Sequence, residues 1–190
     1  MISSKIHEQL IKQRGKQQAN HYQNYQLNSL QPLVETAQEV LSVVKPSFGA
    51  CAMLSAAWAG MLNKKYNIPA IVVAGDLDIH EHKIFNCSEN IPVQKDASVT
   101  HNSLWDGHCW IEIDGYIGDI SLFRTAYTLQ ESSILRQFVE CEFGGGRGGI
   151  LSKQEDLPNA MKYIPKYVLS NEQVEGLVAG LGYQLRISRD

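Results

Sequence analysis

No apolar run in the chain approaches the roughly 20 residues needed to cross a bilayer. The longest apolar-rich stretch, Ala50 to Leu62, is interrupted by Ser55 and Gly60. The opening MISSKIHEQLIKQRGKQQ is polar and lacks the apolar segment of a signal peptide. No membrane association is expected, and the cytoplasm is the default location, with export by a route without a cleaved signal left open. Charge is sparse and balanced: charged residues make up 19%, the net charge is −3, and Lys and Arg form no basic stripe. Nucleic acid is therefore not an expected partner. Cys51, Cys87, Cys109 and Cys141 contain no CxxC pair, which argues against a zinc site or a redox dithiol. In a reducing compartment they stand as free thiols. The Gly144 to Gly149 run, with Arg147 inside it, lacks the GxxxxGK[ST] pattern of a phosphate loop. His80, His82 and His101 have no further ligand at a recognisable spacing, so neither a metal nor a cofactor is expected.

What the chain does have is enough apolar sequence for a core. With 190 residues, 44% of them hydrophobic, one domain that needs no disulfide is expected. Residues 1–31, rich in Gln and Asn, read as a peripheral helix or partly ordered arm ahead of a single catalytic domain over 32–190. Pro32 suits a first helical turn, and Leu33, Val34, Ala37, Val40, Leu41 and Val44 recur at helical spacing up to Pro46. Residues 50–66 are apolar nearly all round and predict a buried helix. Ile68 to Ala74 predicts a buried strand, and residues 75–104 an irregular polar insertion with a short strand near Ile84 and Phe85. Cys87, within it, is expected to be exposed. Asp114-Gly115 between two β-rich runs predicts a hairpin. A helix over 129–142, a short helix near Pro158, a capping box at Ser170-x-x-Gln173 opening a helix that ends near Gly180, and a final strand complete the pattern. The class is α+β, with a buried helix packed on an antiparallel sheet.

Cys51 follows a turn and opens the buried helix. A helix N-terminus carries partial positive charge and free N–H groups. These lower a thiol pKa, and they can also receive a developing oxyanion. Alone, such a cysteine is more often just a small core residue. The hairpin adds direction. With Ile113 opposite Tyr116, residues His108, Trp110, Glu112, Ile117 and Asp119 share one face. Cys109, Ile111 and Ile113 take the other, where Cys109 should be buried and inert. His108 and Asp119 are then diagonal neighbours about 7–8 Å apart at the backbone, close enough for the carboxylate to orient the imidazole. Nucleophile, base and orienter follow in chain order. Trp105 and Trp110 are candidate walls of a substrate pocket or packing residues. Arg147 is a candidate contact for an anionic group or a solvated side chain.

Gly49-Ala-Cys51-Ala-Met, His108-Cys-Trp110-Ile-Glu112 and Gly118-Asp119 together resemble the transglutaminase-like branch of the papain-like cysteine protease superfamily. The resemblance covers roughly residues 47–124. It implies a papain-like core with Cys51 as nucleophile, His108 as base and Asp119 as orienter. It also implies attack on an amide or peptide bond through a thioester acyl-enzyme, with a peptide, protein or small amide as substrate. Arylamine-N-acetyltransferase-like acyl transfer, or a binding module that has lost turnover, are the alternatives. The Gln that the papain branch places shortly before the cysteine is missing from Lys45 to Ala50, which leaves the Cys51 N–H as the nameable oxyanion donor.

Overall fold

The apolar run beginning at Cys51 folds as a helix buried on most of its circumference. In the computed structural model, which describes residues 4–45, 49–98 and 105–187, this is helix α3 (Cys51–Tyr66). It ends with Asn67 in the left-handed conformation after Lys64 and Lys65, a stop that complements the negative end of the helix dipole. Before it come α1 (Ser4–Asn24) and α2 (Gln31–Val43). Trp58 is fully enclosed between α2 and α3, where its Nε1 donates to Leu33 O at 3.1 Å and Thr36 Oγ1 at 2.9 Å. Enclosing a tryptophan this completely requires such partners.

Among the described residues six strands make one sheet, antiparallel at every pairing: β1 (Ile71–Ile79), β2 (His82–Phe85), β3 (His108–Ile113), β4 (Tyr116–Asp119), β5 (Ile150–Lys153) and β6 (Met161–Val168). Leu77, Asp78 and Ile79 pair with both β2 and β6, while Val73, Ala74 and Gly75 pair with both β3 and β6. One edge of β1 is thus taken by β6, and β3 and β2 follow one another along the other. Asp76 sits at the junction between them. Its carboxylate accepts from Lys83 Nζ at 2.6 Å, Lys166 Nζ at 2.8 Å and Cys87 N at 2.7 Å. Burial pushes this carboxyl up, but the two ammonium groups and the N–H outweigh it, so the net shift is downward.

Helix α3 packs on the sheet face carrying Cys109 and Ile111. Gly118 leaves the space that Trp58 fills, since a Cβ there would lie 2.5 Å from the indole. The opposite face carries His108, Trp110, Asp119 and Tyr163. The chain leaves β4 into α4 (Leu122–Thr128) and α5 (Ile134–Phe143), and closes with α6 (Asn171–Ile187) against α3.

Several sequence expectations are corrected. The β1 strand runs on to Ile79 and turns at His80 into β2, so the insertion starts later than Gly75. The helix expected over 129–142 is α5 and starts five residues later, at Ile134, while α4 over Leu122–Thr128 was not expected. A short helix near Pro158 is absent, apart from a 3-10 turn over Gln154–Asp156, and the chain instead forms β6. The final helix passes through Gly180 and Gly182 to Ile187, where a strand was expected. Both Gly176 and Gly180 lie against Gln94, whose atoms would be within 2.4–2.6 Å of an added Cβ. These glycines admit a crossing segment and do not stop the helix. The predicted turn at Pro46, Ser47 and Phe48 falls outside the described residues.

Candidate active site

Strand β3 delivers His108 and strand β4 delivers Asp119, in the register that the Asp114-Gly115 turn sets: Ile113 opposite Tyr116 and Ile111 opposite Gly118. The two side chains meet on the sheet, with His108 Nε2 and Asp119 Oδ2 2.6 Å apart and both residues 0% exposed. A carboxylate only accepts hydrogen bonds, so the proton between them belongs to Nε2. Asp119 Oδ2 also accepts from Tyr163 Oη at 2.9 Å. Its Oδ1 accepts from Ser121 N at 2.9 Å, Ser121 Oγ at 2.8 Å and Leu122 N at 3.0 Å, which tethers the start of α4.

Burial pushes the Asp119 carboxyl up, yet the His108 charge and the Ser121 donors outweigh it, and the net shift is downward. For His108, burial alone would lower the pKa. The Asp119 carboxylate and the Cys51 sulfur reverse that and raise it to about 10. Tyr163 stays a neutral donor, held protonated by burial and by Asp119.

The other imidazole nitrogen, Nδ1, is buried and has no hydrogen-bond partner. Cys51 is the group acting on His108 besides Asp119. The thiol is pulled well below its ordinary range, first by the influence of Cys109 and then by that of His108, against the opposing effect of burial. Nδ1 and the Cys51 sulfur form no hydrogen bond, but each shifts the ionisation of the other. Because α3 begins at Cys51, the N–H groups of its first turn have no acceptor inside the helix.

Aromatic rings enclose the pair. Phe85 stacks on His108 with centroids 4.7 Å apart, and Trp110 meets Tyr163 edge-on at 5.0 Å. Trp110 is fully buried and donates to Glu112 Oε1 at 3.0 Å. It braces the His108 face and does not line an open surface. Burial raises the Glu112 carboxyl. Trp105 is half-buried over Gly107 and donates to Glu89 O at 2.9 Å. Arg147 is exposed, with Nε on Phe143 O at 2.9 Å. So Cys51, His108 and Asp119 come together, Trp110 supports them from the core, and Arg147 lies on the surface.

Cys87, expected to be exposed, is fully buried, because its backbone is held by Asp76 and by Lys166, which donates to Cys87 O at 2.9 Å. Cys109 is buried as expected, and burial holds its thiol protonated. Sequence reasoning missed Tyr163, which arrives from a strand that its own pattern hides. Among the described residues no cluster of His, Cys, Asp and Glu could hold a metal ion; His80 and His82 are both exposed, and His101 lies outside the described residues. No helix among these residues is long and apolar enough to cross a membrane. A groove of about 870 Å³ runs along the later turns of α3 and along α6 and is not lined by Cys51, His108 or Asp119. A smaller one of about 340 Å³ lies beside Phe85, between β2 and α5. No protein-family model, curated protein or solved structure matches the chain.

Proposed function

We propose that the protein is a cysteine-dependent hydrolase or acyltransferase of amide or peptide bonds, working through a thioester acyl-enzyme on a transglutaminase-like variant of the papain-like core. The observation that carries this reading is the buried His108–Asp119 pair at 2.6 Å with its free Nδ1 beside a low-pKa thiol at a helix start. Burying such a pair costs free energy that a core of apolar residues would not. Function is the economical reason to keep it.

In this reading Asp119 fixes the imidazole with Nδ1 toward Cys51. The Cys51 thiolate attacks the carbonyl carbon, and the first-turn N–H groups of α3 receive the oxyanion. The imidazolium then donates its proton to the leaving nitrogen, and water or an amine resolves the thioester. Proton transfer by a positioned histidine is worth about 10²–10⁴ in rate. The substrate is a peptide, a protein or a small amide, and all four cysteines being free suits a reducing compartment.

The test is the pH dependence of iodoacetamide labelling at each cysteine, read by mass spectrometry in the wild type and in His108→Ala. Cys51 should label fast well below the free-thiol pKa of about 8.5 and slow when His108 is removed. Slow labelling that ignores His108 would sink the triad. An activated peptide thioester should then leave an acyl mass on Cys51; fast labelling without any acyl capture would favour a binding module.

A further inference from the structure

Acyl transfer gives Cys109 no step of its own, yet the fold places it under the first turns of the helix that carries the nucleophile. Cys109 lies on the α3 face of β3, where the Ser55 hydroxyl donates to its carbonyl at 3.0 Å. Ser55 stands one helical turn after Cys51, on the same side of α3. Cys109 alternates to the same side of β3 as Ile111, which with Trp58 of α3 surrounds Gly118, so its side chain and that of Cys51 share the layer between α3 and the sheet. Cys109 helps to lower the Cys51 thiol, and burial keeps Cys109 itself protonated. The other buried thiol, Cys87, turns away and donates to Glu89 O at 3.3 Å.

We propose that Cys51 and Cys109 are a modification site, forming a reversible disulfide that switches the enzyme off when a hydroperoxide reaches it. This rests on the reading of Cys51 as an activated thiolate. The thiolate attacks the distal oxygen of hydrogen peroxide. The O–O bond breaks, Cys51 becomes a sulfenic acid, and the departing hydroxide takes a proton to become water. The Cys109 sulfur then attacks the Cys51 sulfur. The S–S bond forms as the S–O bond breaks, and the leaving hydroxide carries off the Cys109 proton as a second water. Peroxide is reduced by two electrons and the two thiols are oxidised by two. The nucleophile is 8% exposed, which admits a small oxidant. A thiol in the same buried layer should intercept the sulfenic acid before it reaches the irreversible sulfinic state.

The experiment treats the full-length protein with equimolar hydrogen peroxide at neutral pH, quenches with catalase, blocks free thiols with iodoacetamide and reads peptide masses. Wild type should lose about 2 Da in a linked Cys51–Cys109 peptide, and dithiothreitol should restore Cys51 labelling, whereas Cys109→Ser should pass to the sulfinic acid at about +32 Da and stay there. Cys87→Ser should form the same disulfide as wild type. A wild-type protein that goes directly to the sulfinic acid, or links Cys51 to Cys87, overturns the proposal even if Cys51 labels fast at low pH. A Cys51 inert to both peroxide and iodoacetamide overturns the nucleophile reading, and this one with it.

Discussion

Both oxygens of Asp119 are committed, to different ends. Oδ1 holds the start of α4 through Ser121 and Leu122, while Oδ2 takes the His108 proton and the Tyr163 hydroxyl. Asp119→Asn can keep the first set, since an amide oxygen still accepts. It turns an NH₂ toward two donors, and removing one partner of a buried ion pair costs about 3–5 kcal/mol. The pH dependence follows from His108, whose pKa rises from 6.5 to about 10. A raised pKa contributes stability that is full below the unfolded value and fades as pH climbs through the folded one. Urea denaturation should therefore show the widest gap between wild type and Asp119→Asn near pH 6, narrowing toward pH 10. A gap independent of pH would mean that the imidazole is not charged. His108 and Asp119 were legible in the sequence because a two-residue turn fixes register, and register decides which side chains are diagonal neighbours. Tyr163 was not, because it reaches Asp119 from a strand 44 residues away.

At the scale of elements, that strand is the largest departure from the sequence pattern. Pro165 and the flanking lysines break the alternation by which strands are read. The structure accommodates the proline by pairing it with Gly75 at a shift in register between β1 and β6. Gly75 also gives the Trp110 indole its place, and the Trp110–Tyr163 contact depends on it. A Cβ on Gly75 would lie 2.1 Å from Ile164 O and 2.7 Å from Trp110 Cη2. Since a backbone carbonyl cannot swing aside as a side chain can, Gly75→Ala should cost about 3 kcal/mol. It should also weaken the near-ultraviolet signal of Trp110. Gly115→Asn is the contrast: the turn glycine has a positive φ of 77° but open space around it, and asparagine tolerates that conformation at a cost of about 1 kcal/mol. The two helices α2 and α3 and the β3–β4 hairpin were legible because periodicity and caps are local. The far end of α6, where Gly176 and Gly180 lie against Gln94, depends on what crosses it, which no local pattern states.

Over the whole molecule, the sheet has one edge that the chain closes with a side chain. The outer edge of β6 meets Gln9 of α1, whose Nε2 donates to Lys166 O at 2.7 Å and whose Oε1 accepts from Val168 N at 2.8 Å. A glutamine amide has one donor and one acceptor side, like a peptide unit, so Gln9 continues the ladder for one residue pair. Arg14 adds a bond from Nε to Leu169 O at 2.9 Å, and Ile6, Leu10, Ala19 and Tyr22 bury the apolar side of α1. The helix bends at Gly15, where φ is 82°. The Gln-rich opening, expected as a peripheral helix or partly ordered arm, is a helix bound to the sheet in this way, and its polar residues are there partly to satisfy an edge that would otherwise template another strand. Gln9→Ala leaves a buried-edge donor and acceptor without partners, which costs about 1–3 kcal/mol. Native-state hydrogen exchange gives the sharper reading. The Val168 amide should lose protection in Gln9→Ala while the Val72 and Ile111 amides, in strands that α1 does not pair with, keep theirs. Equal loss at all three would mean that α1 supports the sheet only through its apolar face and that the glutamine bonds carry none of the edge.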